Sequence, residues 1–407
     1  MCAWLYNTKS FVYYLSKVLE GPGALFQKCP WPAGGKRDLI FSKNSDIIIT
    51  MYILGIESSC DETAVAVVER EQGGENRVID EQIKSQVPLH SKYGGVVPEI
   101  ASRNHYEVID LLTAAALKNA GLEVQDIRLI GLTVGPGLIG SLLVGLSFAK
   151  GLAFTHKIPI AAVDHIAAHI EAAFIENPGI QYPLLALVVS GGHTTLFYQQ
   201  SKFETEVIGK TRDDAVGEVM DKIAKFLGLG YPGGPILDEI YRNGGGDVHR
   251  FQFTYPRMSD GSDDFSFSGY KTAVIRQCRQ CADDKGITIQ ADQQEIKDLV
   301  ASFLYSVVSY LMEKTRSILE KRKVKSLIVS GGVSRNSLLR EMFQKEFNKP
   351  GRGVNLYMPS PRFCTDNASM VAWLGYEKYL AYPNINYFDS YLNAYSRALF
   401  TEKGKHR

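Results

Sequence analysis

Two histidines four residues apart, His165 and His169 in DHIAAH, carry the first chemical signal. That spacing sets both imidazoles on one helical face, where their neutral nitrogens can chelate one ion. Asp164, directly before them, is suited to N-cap that helix. A carboxylate from elsewhere would complete the site, and Asp366 in CTDNAS, at the mouth of another helix, is the best candidate. A cation near helix N-termini opposes their dipoles, so a carboxylate ligand and an anion bridging the metal are both favoured. A zinc peptidase needs glutamate directly after the first histidine as general base; Ile166 stands there, which disfavours that chemistry.

A second set of residues points to nucleotide binding. VVSGGHT (188–194) and IVSGGVSRN (328–336) each follow an apolar strand, and paired glycines there let backbone N–H groups approach phosphate or ribose oxygens. The first loop comprises Val188, Val189, Ser190, Gly191 and Gly192; the second ends in Asn336, whose amide can read a base or sugar edge. Ser58, Ser59, Asp61 and Glu62 form the tip of an earlier hairpin, where a third phosphate-facing loop would sit. Gly135-x-Gly137-x-x-Gly140 nominally satisfies a dinucleotide fingerprint, but Pro136 lacks an N–H and an antiparallel meander precedes it. It reads as a tight turn with small residues for close helix packing. Cys278-x-x-Cys281 has no second pair and reads as ordinary helix.

The elements that must position these residues are legible in outline. At about 150 residues per domain, a 407-residue chain holds two to three domains. From Ile47 a β-meander is expected (IIITMYILGIES, AVAVVER, VIDEQIKSQV), followed by a helix to Gly121. The uncharged run Leu129–Ala149 is long enough for a membrane span, but its central Gly135-Pro136-Gly137 divides it into a buried strand and a buried helix, and no membrane insertion is expected. A second meander opens at YPLLALVVSGGHTTLFYQ and echoes the first, the layout of a duplicated two-lobe α/β fold with a ligand between the lobes. A helix follows from Ile296 to Leu319, then the strand of VKSLIVSGG; past about Asn384 no regular pattern remains.

With 45% hydrophobic and 22% charged residues, the composition excludes wholesale disorder, and six scattered cysteines argue against a secreted disulfide framework. A net charge of +1 means that polyanion affinity would need a local basic groove or a second protein. The positive charge is concentrated in the first 45 residues, where six basic side chains face two acidic ones, a net of +4. This acid-poor start, containing FVYYLSKVL, resembles a mitochondrial presequence, so residues 1–46 are expected to be an address and the protein to work in the mitochondrial matrix.

Taken together, GIESSCDETAVAVV, GGVVPEIASRNH, TVGPGLIGSLLVG, DHIAAH, LVVSGGHT, DDAVGEVMDKIAKFLGLGYPGGP, FSFSGYKTAV, VSGGVSRN and MPSPRFCTDNASM resemble the universal tRNA threonylcarbamoyladenosine transferase family, formerly labelled glycoproteases. The likeness runs from about Ile53 to Trp373, and the leader resembles that of a mitochondrial member. The resemblance implies an actin-like, sugar-kinase-like ATPase fold clasping a nucleotide, with one divalent ion, zinc or iron, held by His165, His169 and Asp366. On this likeness the first lobe would be 47–162 plus a C-terminal helix of about 375–407, and the second 163–374. The implied reaction joins a threonylcarbamoyl group, delivered as threonylcarbamoyl-AMP by a separate synthase, to N6 of the adenosine 3′ of the anticodon in tRNAs reading ANN codons. The adenylate, in a site that ATP can also occupy, would lie on Val188 to Gly192, with Asp221 at the ribose and Gly234, Asp238 and Asn336 around sugar and base. Asp61 and Glu62 are the nearest candidates for a general base. Val219 and Met220 depart from the family's usual Ala-Phe, and Tyr270 from its Leu. Self-association as a homodimer is a further implication. The rival reading is an actin-like ATP-binding module that supports a complex without modifying tRNA.

Overall fold

The computed structural model describes residues 39–41, 47–71, 76–256, 258–283, 294–349, 351, 353–382, 385–386 and 391–397. Its framework is one topology used twice. In the first half β2 (Ile47–Glu57), β3 (Glu62–Glu71) and β4 (Arg77–Ser85) form an antiparallel meander, with β5 (Ile127–Gly135) and β6 (Ile160–Asp164) parallel to β2, giving the order β4-β3-β2-β5-β6. In the second half β7 (Leu184–Val189), β8 (Thr194–Ser201) and β9 (Glu204–Lys210) repeat the meander. Parallel β10 (Ser326–Ser330) and β11 (Asn355–Tyr357) then give β9-β8-β7-β10-β11. The two echoing meanders read from the sequence are these two halves.

The longer helices cover the sheets. Helices α1 (Pro98–Ala120) and α2 (Ile139–His156) pack with Leu54, Ile56, Val65 and Val67 of the first sheet. Among the described residues α2 is the one helix long and apolar enough to cross a membrane; it packs against α1 and β5. Next come α3 (His165–Glu176), α4 (Val216–Phe226), α5 (Gly233–Arg242), α6 (Ser268–Asp283), α7 (Gln294–Lys321), α8 (Ser337–Phe347) and α9 (Ala368–Ala381). Residues of α4 to α8 cluster with Leu185, Leu187 and Leu327 of the second sheet.

The lobes share a core. Ile166 and Ile170 of α3 and Ala368 and Ala372 of α9 pack together with Ile53 and Ala64 of the first sheet and Leu184, Ala186 and Ile328 of the second. The close fit of α9 depends on absent side chains: a Cβ on Gly55 would stand 2.1 Å from the Ala368 carbonyl oxygen, and one on Gly131 would stand 2.7 Å from that of Val371.

Three expected boundaries move. Leu39–Phe41, read as part of the leader, forms strand β1, antiparallel to Ile47–Ile49 of β2; the other residues of 1–46 lie outside the described residues. The division at 162/163 falls inside β6, whose parallel pairing with β5 extends to Asp164. The terminal helix expected over about 375–407 begins instead at Ala368, N-capped by Asn367 onto Met370 N, and ends at Ala381, while the described residues 391–397 are not helical. The GPG turn lies where β5 gives way to α2; a Cβ on Gly137 would meet Ser59 O at 2.5 Å, so its small residues serve close packing. The backbone of Cys278 and Cys281 is helical in α6, but their side chains lie outside the described residues.

Candidate metal and nucleotide site

The site begins at the first turn of α3. Asp164 Oδ1 accepts from Ile166 N and Ala167 N, both at 2.9 Å, making the expected N-cap. The His165 and His169 rings, both buried, lie edge to face with centroids 4.7 Å apart. Asp366 reaches them from just ahead of α9: its Oδ1 is 3.1 Å from His169 Nε2 and 3.6 Å from His165 Nε2. One donor atom from each residue lies within 4.8 Å of the other two.

The sequence reading missed the support behind His165. Glu57, fully buried at the end of β2, places Oε2 3.1 Å from His165 Nδ1 and accepts from Ser59 N and Thr133 Oγ1, each at 2.6 Å. Ser59 Oγ stands 3.2 Å from the same Nδ1. A lone carboxylate closing an apolar strand was the available signal. Burial by itself would push the His165 imidazolium down, but Asp366 and Glu57 outweigh it and raise the group to about 9. Against the opposing effect of burial, His165 and then His169 hold Asp366 below the usual carboxylate range. Two carboxylates thus favour positive charge in the pocket, and its two imidazoles and one carboxylate oxygen suit a divalent metal ion. His165 would bind through Nε2 with Glu57 on its far nitrogen, an arrangement that fixes ring orientation and tautomer.

The Cys60–Glu62 turn stands opposite. His105 holds it, with Nδ1 2.7 Å from Thr63 Oγ1 and Nε2 2.9 Å from Cys60 O. Glu62 accepts from Ser85 Oγ at 3.1 Å. Burial, then the charges of Asp366 and Asp61, push the Glu62 carboxyl well above the usual carboxylate range.

The glycine loops divide their work. Val188 and Val189 are ladder residues of β7 with fully buried side chains, so what the loop offers starts at Ser190. There Ser190 N donates to His193 O at 2.8 Å, and a Cβ on Gly191 or Gly192 would meet no atom, leaving their backbones open. His193, not singled out from the sequence, is kept neutral: burial, then His165 and His169, lower it to about 4. Asp221 accepts from Gly233 N at 2.7 Å, and burial raises it to about 6, with Asp61 adding to the shift. Gly234 is almost open, with Met220 Sδ 3.8 Å from an added Cβ. Asp238 is engaged by Ser337 N and Oγ at 2.8 and 2.9 Å. Asn336 caps α8 through Oδ1 onto Leu339 N at 3.0 Å, and its buried Nδ2 has no partner in the protein. Val219, Met220 and Tyr270 are buried in the second-half core, where their departures from the family pattern are matters of packing.

Duplicated α/β halves with open glycine backbones and a His-His-Asp donor set able to hold a metal ion define a protein of the actin-like ATPase fold. Solved structures share this fold: T. kodakarensis HypF at 15% identity (TM-score 0.52, 82% of this chain and 48% of that one), and full-length HypF in the phosphate- and nucleotide-bound form at 12% (TM-score 0.50, 81% and 55%). The tRNA N6-adenosine threonylcarbamoyltransferase (TsaD) family matches residues 77–373. Enzymes of that name from Caldicellulosiruptor bescii and Thermodesulfovibrio yellowstonii are 46% and 45% identical to this chain. Each alignment covers 81% of this chain, with 93% of the first relative and 95% of the second. The chain belongs to this family and is a tRNA threonylcarbamoyltransferase.

Proposed function

We propose that the protein transfers the threonylcarbamoyl group of threonylcarbamoyl-AMP, made by a separate synthase, to N6 of the adenosine 3′ of the anticodon in mitochondrial tRNAs reading ANN codons. The observation that carries this reading is the convergence of His165, His169 and Asp366 with the Cys60–Glu62 turn and the open Gly191–Gly192 loop, with charges from one half felt in the other. A divalent ion bound there supplies Lewis acidity to the carbamoyl or phosphate oxygens of the mixed anhydride. His165, His169 and Asp366 would hold it, with Glu57 orienting His165. Gly191 and Gly192 offer backbone N–H groups to the phosphate, Asp221 accepts from the ribose, and Asn336 Nδ2 donates to the nucleotide. N6 forms its bond to the carbamoyl carbon as the bond to the AMP oxygen breaks, and Asp61 takes the proton that N6 loses.

The basic leader supports a mitochondrial address. Self-association is supported by exposed apolar residues on the neighbouring helices α1 and α2: Tyr106, Leu111, Ile139, Leu143 and Phe154. The decisive experiment is nucleoside mass spectrometry of tRNA incubated with the protein, threonine, bicarbonate, ATP and a threonylcarbamoyl-adenylate synthase. Modified adenosine is expected only in ANN-reading tRNAs. ATP hydrolysis without modified nucleoside would replace this reading with that of an ATPase module.

A further inference from the structure

The cleft built so far gathers carboxyl groups from both halves, the charges of Asp366 and Asp61 being felt at Glu62 and that of Asp61 at Asp221, and the whole chain carries a net charge of only +1. An RNA that presents an adenosine to this cleft must therefore be attracted by its rim.

One segment of the rim is built for exposure. Gln86 N donates to Asp61 O at 2.9 Å, and buried Gln86 also donates through Nε2 to Ala101 O at 3.3 Å. His90, also buried, holds Gln86 Oε1 at 3.2 Å and accepts from Val97 N at 3.2 Å. These anchors fix both ends of the turn Ser91–Tyr93, yet Lys92 and Tyr93 point outward, with Tyr93 50% exposed. Lys92 Nζ lies 5.1 Å from the Tyr93 ring centroid.

The turn also reaches the other half. Gly94 closes it in the left-handed region (φ 68°), and a Cβ there would stand 2.6 Å from Lys225 Nζ, so the Lys225 side chain lies along the Gly94 backbone. Lys225 is four residues after Asp221 on α4, on the same helical face, about one turn away or about 6 Å along the axis. Neither Lys92 nor Lys225 is paired with a carboxylate among the described residues.

We infer that Lys92, Tyr93 and Lys225 form the rim that receives the single-stranded RNA around the target adenosine: Tyr93 stacks on an unpaired neighbouring base, while the two ammonium groups take the flanking phosphates. Single-stranded RNA is read through bases splayed onto aromatic rings, and stacking tolerates any aromatic ring of suitable size. The inference rests on the reading that an RNA adenosine is the acceptor.

The test is fluorescence anisotropy of an anticodon stem-loop RNA on the full chain over a series of salt concentrations, with ATP-analogue affinity measured in parallel to report an intact cleft. Tyr93→Ala is expected to weaken RNA binding about 5- to 100-fold, while Tyr93→Trp stays near wild type. Lys92→Ala and Lys225→Ala should each lower the slope of log affinity against log salt by about 0.7. ATP-analogue affinity should be unchanged in all four. RNA binding by wild type that survives Tyr93→Ala and the double Lys92→Ala/Lys225→Ala variant overturns the rim while leaving the acceptor reading standing. Failure of the wild type to bind the stem-loop removes the acceptor reading and the rim together.

Discussion

Tyr395 donates its hydroxyl to Asp164 Oδ2 at 2.7 Å, while the other oxygen of that carboxylate caps the helix carrying His165 and His169. Tyr395 N also donates to Val134 O at 2.9 Å, and its ring lies against Gly135, where a Cβ would come within 2.5 Å of it. A residue outside the family match at 77–373 thus holds the helix that presents the metal ligands.

Tyr395→Phe keeps the ring and removes the hydrogen bond. About 1 kcal/mol of positioning energy is lost, so kcat should fall several-fold with little change in KM or Tm. Unchanged kcat in a purified Tyr395→Phe protein would show that the contact serves folding alone.

Glu57→Gln leaves an acceptor for Ser59 N but removes the charge beside His165 Nδ1. Metal affinity, measured by competition with a chelator, should drop about 10- to 100-fold. Retention of wild-type affinity would mean that Glu57 only ties the turn together.

Asp221 provides a pH signature. Its native value, raised to about 6, exceeds the unfolded one, so its contribution to stability is fully present below about pH 4 and is lost as pH rises through 6. The Tm of wild type relative to Asp221→Asn should therefore decline between pH 4 and 7. ATP-analogue affinity should follow the opposite course in wild type, rising as the carboxylate ionises, and stay flat in the variant. A parallel pair of Tm curves would contradict this assignment.

Lys202 joins the halves by charge, with Nζ 3.0 Å from Glu171 Oε1 and 3.1 Å from Glu377 Oε2, while Arg70 pairs with Glu377 from β3. Burial raises Glu171 and Lys202 counters that shift. Lys202→Met should strip the buried carboxylate of its main partner and destabilise by about 3 kcal/mol, less in acid as Glu171 takes up a proton. Adding Glu171→Gln should recover most of the loss in denaturant titrations. A double variant no more stable than Lys202→Met would show that the charge is not the cause.

What the sequence by itself determined is local or repeated. Alternating and helical apolar periods set the two meanders and most helices, i,i+4 spacing put His165 and His169 on one face, and Asp164 was legible as their cap because an N-cap acts over two or three residues. The Asp366 carboxylate, which meets His169 across 197 residues, was named from its motif, whereas Glu57 reaching His165 across 108 residues and Tyr395 reaching Asp164 across 231 were not. None of these pairings has a period to betray it; each depends on how α3 and α9 settle between the sheets. The burial of Val188 and Val189, the raised Glu62 carboxyl and the unpartnered Asn336 Nδ2 were likewise beyond the sequence, because ladder position, desolvation and neighbouring charge exist only once the chain has packed.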